Sequence, residues 1–260
     1  MNIVFIGTSS GRTSLTRFHS SLFFENTNFG LLVDAGDGVS KALLNSGKKY
    51  DDINNILFTH HHADHFGGIS ALVTQMKICG RTLPLEIFTN AGLKNSLISY
   101  LNSCHMFLGD LGFDLKVTEV KFDDEISLSE NFSFKLRRNT HLTEKTGSDD
   151  YNNVSFVSSS CLFKIEGRNI FYTSDVGSEK DLEIFNDHKI DLLISETTHL
   201  PLDSIIDFAQ KLKIQNIYLT HIDEPDESNI IDWAEALRTD KSINIQAAND
   251  GMRINLQDVY

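Results

Sequence analysis

The 260-residue chain predicts an α/β layered sandwich, two packed sheets with helices outside. Three observations carry that expectation. Short apolar runs of strand length recur along the whole chain and alternate with segments of helical period. No Pro-, Ser- or Gly-rich linker interrupts the pattern, so residues 1–260 read as one domain. One apolar run, Asn55-Ile56-Leu57-Phe58-Thr59, leads directly into His60, His62, Asp64 and His65 in an H-x-H-x-D-H pattern, and Gly67-Gly68 then opens a helix-like ISALVTQMKIC. With 40% hydrophobic and 10% aromatic residues the chain can bury a substantial core.

Taken in order, Asn2 to Ile6 reads as a first strand, followed by the small-residue loop GTSSGRTSLTRFHSS. Strands follow near Leu22 to Glu25 and Leu31 to Asp34, and the D-A-G-D-G turn opens a helix from Val39 to Ser46. The strand Ile56 to Thr59 precedes a helix at Ile69 to Ile78, a strand at Leu85 to Thr89 and a helix from Leu93 to Leu101. The second half predicts strands near Leu115 to Val120, Phe132 to Arg138, Ser155 to Ile165 and Ile170 to Thr173, then a helix near Glu179 to Phe185. Strand Leu192 to Ser195, helix Leu202 to Leu212, strand Ile217 to Thr220 and helix Ile230 to Leu237 come next. Strands near Ile243 to Gln246 and Arg253 to Leu256 finish the pattern.

Composition narrows the setting. No apolar run approaches membrane-spanning length, so no membrane association is expected. The N-terminal MNIVFIGTSSG lacks a charged leader region and reads as a strand, not a signal peptide. Cys79, Cys104 and Cys161 are far apart, form no C-x-x-C and cannot all pair, which fits a reducing cytoplasm. The 36 acids against 23 bases give a net charge of −13; two divalent ions would leave about −9. Such a field disfavours large RNA, whose binding depends on attracting polyphosphate. The acidic clusters Asp123-Asp124-Glu125, Asp149-Asp150 and Asp223 to Glu227 read as solvated loop faces.

The histidine motif carries the chemistry. A strand end projects residues i and i+2 to one side, which would put His60 and His62 on one metal ion. Where the chain turns into the helix, Asp64 and His65 can face a second. Imidazole suits zinc and similar first-row ions, and a carboxylate completes a site that keeps a position open for water. Three more candidates sit just past apolar strands: His141, Asp175 and His221. His61 points away from its neighbours, and His19, His105 and His188 lack a ligand context. Arg12 and Arg17 are weak candidates for gripping a phosphate. Arg137 and Arg138 point to opposite faces of one strand, so at most one can face the site.

These residues resemble the metallo-β-lactamase superfamily, in its dinuclear hydrolase branch. The resemblance implies a four-layer αββα sandwich with metals at the sheet edges. It implies that His60, His62 and His141 hold one metal, that Asp64, His65 and His221 hold the other, and that Asp175 bridges them. GTSSG with Ser20-Ser21, LLVDAGDG, LLISETT and the closing A-N-D-G-M-R-I-N-L resemble the ribonuclease Z and cyclic-nucleotide phosphodiesterase branch. Two departures matter. Ribonuclease Z carries a tRNA-gripping arm between the third histidine and the bridging aspartate, whereas 33 residues separate His141 from Asp175, and a polar Leu142 to Asn153 has room only for a short lid. The motif that reads His-Glu-Ala-Thr in many ribonuclease Z relatives reads Ser195-Glu196-Thr197-Thr198 here, with His199 beyond.

The expected function is therefore a dinuclear hydrolase with two divalent ions, zinc by default and manganese or iron as alternatives, opening a small cyclic nucleotide or similar phosphodiester. A hydroxide shared by the metals would attack phosphorus, Asp64 would ligate and take the nucleophile's proton, and Glu196 would orient His199 to protonate the leaving alcohol. The alternatives are a tRNA 3′-end endoribonuclease, a thioester or lactone hydrolase similar to glyoxalase II, and a non-catalytic module that kept the fold. A homodimer is expected from the resemblance alone.

Overall fold

The computed structural model describes residues 1–143, 155–238 and 243–259. The first half contains strands β1 (Asn2–Gly7), β2 (Ser21–Asn26), β3 (Phe29–Val33), β4 (Asn55–Leu57), β5 (Leu85–Asn90) and β6 (Leu115–Val120). Helices α1 (Val39–Asn45), α2 (Ala63–Phe66), α3 (Ile69–Ile78) and α4 (Lys94–Ser103) lie between them. The second half contains β7 (Glu125–Ser129), β8 (Phe132–Arg138), β9 (Ser159–Ile165), β10 (Arg168–Tyr172), β11 (Leu192–Ser195), β12 (Asn216–Leu219), β13 (Asn244–Ala247) and β14 (Arg253–Asn255), with helices α5 (Leu202–Leu212) and α6 (Glu227–Arg238).

Two seven-stranded sheets result, ordered β14-β1-β2-β3-β4-β5-β6 and β13-β12-β11-β10-β9-β8-β7. The period-2 alternation of the strands sorts their side chains into layers. Ile3 and Phe5 of β1 join Phe24, Phe132, Phe134 and Phe163 in a core between the sheets, while Val4 and Ile6 face the other way, into a core shared with α1, α3 and α4. A third core lies between the second sheet and α5 and α6. The layers are therefore helix, sheet, sheet, helix, as expected. Phe24 anchors the centre, 4.5 Å from Phe163 and 5.7 Å from Phe132 between ring centroids; burying a side chain of this size contributes about 1.5–3 kcal/mol.

Several boundaries differ from the sequence expectation. β7 is a strand where Glu125 was expected in a solvated acidic loop: its residues alternate between exposed and half-buried, and Ile126 and Leu128 pack on the inter-sheet core. Glu179–Phe185 winds as a 3-10 helix, and β9 begins at Ser159, not Ser155. Asp223 is not freely solvated, because it accepts from Ser10 Oγ and lies 3.5 Å from Arg12. Asp149-Asp150 and most of the expected lid lie outside the described residues.

Topology then gathers the site. β3, β4, β5 and β6 run parallel in one sheet, and β10, β11, β12 and β13 in the other. β8 is antiparallel to β9, which is antiparallel to β10, so β8 ends at the same edge as β10. The carboxyl ends of parallel strands leave the crevice in which α/β folds collect functional groups.

Candidate metal centre

His60 lies two residues beyond Phe58, whose backbone N–H donates to Phe88 and prolongs the β4–β5 pairing. His62 caps α2, a single turn carrying Asp64 and His65. The glycines around this turn are required by close approach: a Cβ on Gly68 would stand 2.2 Å from the Gly36 carbonyl oxygen, and one on Gly36 would stand 2.1 Å from that of Asp64. Only glycine lets the two loops press backbone against backbone. His141 follows β8, Asp175 follows β10 and His221 follows β12.

These seven residues converge in two groups that share Asp175. His60, His62, His141 and Asp175 form one, and Asp64, His65, Asp175 and His221 the other, with the candidate ligand atoms of each group within 4.8 Å of one another. His141 Nε2 lies 3.0 Å from His62 Nδ1 and 3.6 Å from Asp175 Oδ2. His65 Nε2 lies 3.0 Å from Asp175 Oδ1, and His221 Nε2 lies 3.1 Å from Asp64 Oδ2 and 3.2 Å from Asp175 Oδ1.

The donor set fits metal ions on two grounds. His60 Nε2 is buried without a hydrogen-bond partner, a costly arrangement unless something binds it. The donors are also of metal-binding type, imidazole nitrogens and carboxylate oxygens gathered within 4.8 Å. Burial opposes a charge on His65, yet the Asp175 and Asp34 carboxylates hold its pKa well above the ordinary histidine value. Burial, with the charge on His65, pushes His60 well below it, and burial lowers His141 to about 4. Asp64 is held at about 2: burial would raise it, but its contact with His221 and the charge on His65 prevail.

Behind the seven lies support that sequence reasoning missed. Asp34, fully buried after β3, accepts from His65 Nδ1 at 2.8 Å and from the backbone and hydroxyl of Thr59. Thr59 Oγ1 in turn lies 3.1 Å from His60 Nδ1. Because a carboxylate only accepts, the Thr59 proton goes to Asp34 and the oxygen takes the Nδ1 proton of His60. Asp34 thus fixes an imidazole in each group. Asp181 Oδ2 accepts from Thr140 N, Thr140 Oγ1, Gly177 N and Ser178 N, tying the His141 loop to the Asp175 loop. Asn139 adds a bond from Nδ2 to the Asp175 carbonyl at 2.8 Å. Signals existed: an aspartate directly after a buried strand for Asp34, and Ser178-x-x-Asp181 as a capping-box spacing.

Asp34, Ser174 and His221 adopt left-handed φ angles of 62°, 52° and 55°. A non-glycine residue there costs of order 1–3 kcal/mol and persists only where its surroundings hold it. All three lie at strand ends that aim side chains into the site.

Glu196 and His199 lie beside the second group. Glu196 is fully buried, and His199 Nδ1 is 3.1 Å from Glu196 Oε1. That hydrogen bond raises the His199 pKa above the ordinary value. The His199 ring is 4.8 Å from that of His141 and 5.9 Å from that of His221, with 39% of its side chain exposed.

Of the weak phosphate candidates among the arginines, three are engaged in other bonds. Arg17 is buried and donates to Thr8, Ala248, Glu227 and Asn249. Arg137 donates to Asp123, Asp187 and the Ile184 carbonyl, and Arg138 to the Phe156 carbonyl. Arg12 remains at the surface beside Asp223. His61 stacks on Phe66, away from the two groups, as expected.

Residues 1–237 match the family model described as anti-Pycsar protein Apyc1. The chain is 36% identical over 123 residues to the ribonuclease Z of Prochlorococcus marinus strain MIT 9312, 46% of this chain and 38% of that protein. It is 32% identical over 123 residues to that of Methanothermobacter thermautotrophicus, with the same coverage. The chain thus spans well under half the length of these curated relatives. Among solved structures, the human short-form tRNase Z superposes with TM-score 0.73 at 22% identity, covering 98% of this chain and 99% of that one. Unliganded yeast PDE1 superposes with TM-score 0.68 at 11% identity, covering 97% and 98%.

Proposed function

The chain belongs to the anti-Pycsar protein Apyc1 family, within the metallo-β-lactamase superfamily, and from that premise we propose that it is a hydrolase of small phosphodiesters, cyclic nucleotides first among them, requiring two divalent ions. The observation that carries this reading is Asp175, shared by two groups of imidazoles and carboxylates. His60, His62, His141 and Asp175 would hold one ion, and Asp64, His65, Asp175 and His221 the other; zinc is the default for this donor set. Bound there, the ions would supply Lewis acidity toward a phosphoryl oxygen and lower the pKa of water.

The protein's own groups do the rest. Asp64, held at about 2, is a weak proton acceptor, so its role is to hold an ion and accept a hydrogen bond from the attacking water. His199 keeps a proton because Glu196 raises its pKa, and Nδ1 is engaged with Glu196. The proton on Nε2 is therefore the one available to the departing alkoxide. Charge and chain length support a small substrate. The net charge of −13 repels polyphosphate, and only 33 residues separate His141 from Asp175.

The likeness of part of the chain to ribonuclease Z favours a second reading, cleavage at the 3′ end of tRNA precursors. Zinc-loaded protein offered a panel of cyclic mononucleotides and a tRNA precursor, with Asp64→Asn as blank, separates the two. Turnover of ~1–1000 per second on a cyclic nucleotide supports the first reading. Catalytic cleavage of the precursor, falling steeply with salt, supports the second.

A further inference from the structure

The Glu196 carboxylate is saturated. Oε2 accepts from Thr198 N at 2.7 Å, Thr198 Oγ1 at 3.0 Å and His199 N at 2.9 Å. Oε1 accepts from His199 Nδ1 at 3.1 Å and from Val176 N at 3.4 Å. Glu196, His199 and His221 also form a third group of metal-ligating types within 4.8 Å, but a carboxylate engaged on both oxygens by five donors has little left for an ion. The cluster is a relay.

Its direction follows from counting protons. Thr198 Oγ1 has one proton, and of its two pure acceptors the Glu196 carboxylate at 3.0 Å is nearer than the His221 carbonyl oxygen at 3.4 Å and receives it. Thr198 Oγ1 must then accept from its other neighbour, His221 Nδ1, 2.5 Å away. His221 is thereby held with its proton on Nδ1, leaving the Nε2 lone pair facing Asp64 Oδ2 at 3.1 Å and Asp175 Oδ1 at 3.2 Å. His221 also has a left-handed φ of 55°, so its backbone alone does not favour this orientation.

We propose that Thr198 is the positioning residue for His221, a hydroxyl interposed between buried Glu196 and the imidazole, which sets the tautomer and plane of that ring and hence the affinity of the group formed by Asp64, His65, Asp175 and His221. Glu196 anchors two imidazoles at once, His199 directly and His221 through Thr198. The role rests on the two-ion reading above, without depending on any substrate. Partners that orient a ligating histidine are commonly worth 10–100-fold in metal affinity. Loss of Thr198 Oγ1 acts on one group only, because His60 and His65 are oriented separately, from Asp34.

The test is zinc titration of the full-length protein against a competing chelator, with bound metal counted by mass spectrometry, for wild type, Thr198→Val and Thr198→Ser. Valine keeps the β-branched shape and the backbone N–H bond to Glu196; serine keeps the hydroxyl. The expected result is two tight ions in wild type and in Thr198→Ser, and in Thr198→Val one tight ion and one weakened by about 10–100-fold. If valine does not fold, ¹⁵N NMR of the histidine rings in zinc-loaded wild type decides: the expected proton is on Nδ1 of His221, and one on Nε2 overturns the proposal. Equal weakening of both ions, or no weakening, in folded Thr198→Val also overturns it. Wild type that binds no zinc overturns the two-ion reading itself.

Discussion

Two carboxylate–threonine pairs stand behind the site, and they differ in where they lie. Asp34 with Thr59 is fully buried and orients His60 and His65, one imidazole in each group. Glu196 with Thr198 repeats the hydroxyl-to-carboxylate logic but lies at the rim, where one of its imidazoles, His199, is 39% exposed in its side chain. The first pair is joined across the sheets, since Ser174 Oγ donates to Thr59 Oγ1 at 2.8 Å. The second is bound mainly within its own short loop. Like chemistry thus serves two settings: an inner pair that fixes two buried imidazoles, and an outer one that also holds an imidazole open to solvent.

Substitutions can break that contrast. Asp34→Asn should have the largest effect: an amide nitrogen meeting His65 Nδ1 or Thr59 leaves a buried donor unpaired, at about 1–3 kcal/mol. Both ions should bind 10–100-fold more weakly, with turnover lost alongside; thermal melts and zinc counts check this. His199→Gln should instead leave zinc content and KM near wild type while kcat falls by ~10²–10⁴, read from steady-state kinetics on the best cyclic nucleotide. A fall in zinc content with kcat would erase the distinction between the two pairs.

Asp181→Ala sharpens the comparison from a third position. It strands the donors of Thr140, Gly177 and Ser178, so a stability loss of about 1–3 kcal/mol is expected in urea unfolding, with weaker binding of the ion held by His141. The smallest effect belongs to Arg137→Ala: each of its ion pairs with the exposed Asp123 and Asp187 is worth about 0.2–1 kcal/mol. Hydrogen bonding from Arg137 holds its partner Asp187 at about 2. A carboxylate lowered on folding stabilises above its unfolded pKa of about 4, and that share disappears as pH falls from about 4 to 2. Wild type and Arg137→Ala should therefore converge in stability across that window.

The two groups at the site's centre were legible because their residues stand in one short motif or directly after apolar strands. The sequence places Asp34 at the end of a buried strand and in a family-like LLVDAGDG, but neither says which side chain its carboxylate meets. Arg17 is the converse. A polar loop has no periodicity to report burial, so the sequence presents Arg17 only as a weak phosphate candidate and does not show its four internal partners. β7 escaped notice because an edge strand needs only two apolar contacts, Ile126 and Leu128, between acidic and serine neighbours. Thr198 was visible as part of an altered motif, but its direction of hydrogen bonding required the distances.

One consequence follows from how the donors are divided between the sheets. His60, His62, Asp64 and His65 come from the sheet containing β1 to β6, and His141, Asp175 and His221 from the other. Neither sheet carries a full set for either ion. Metal held there would act as a rivet across the seam between them, so a chelator should lower the melting temperature of metal-loaded protein as well as any activity that depends on the ions.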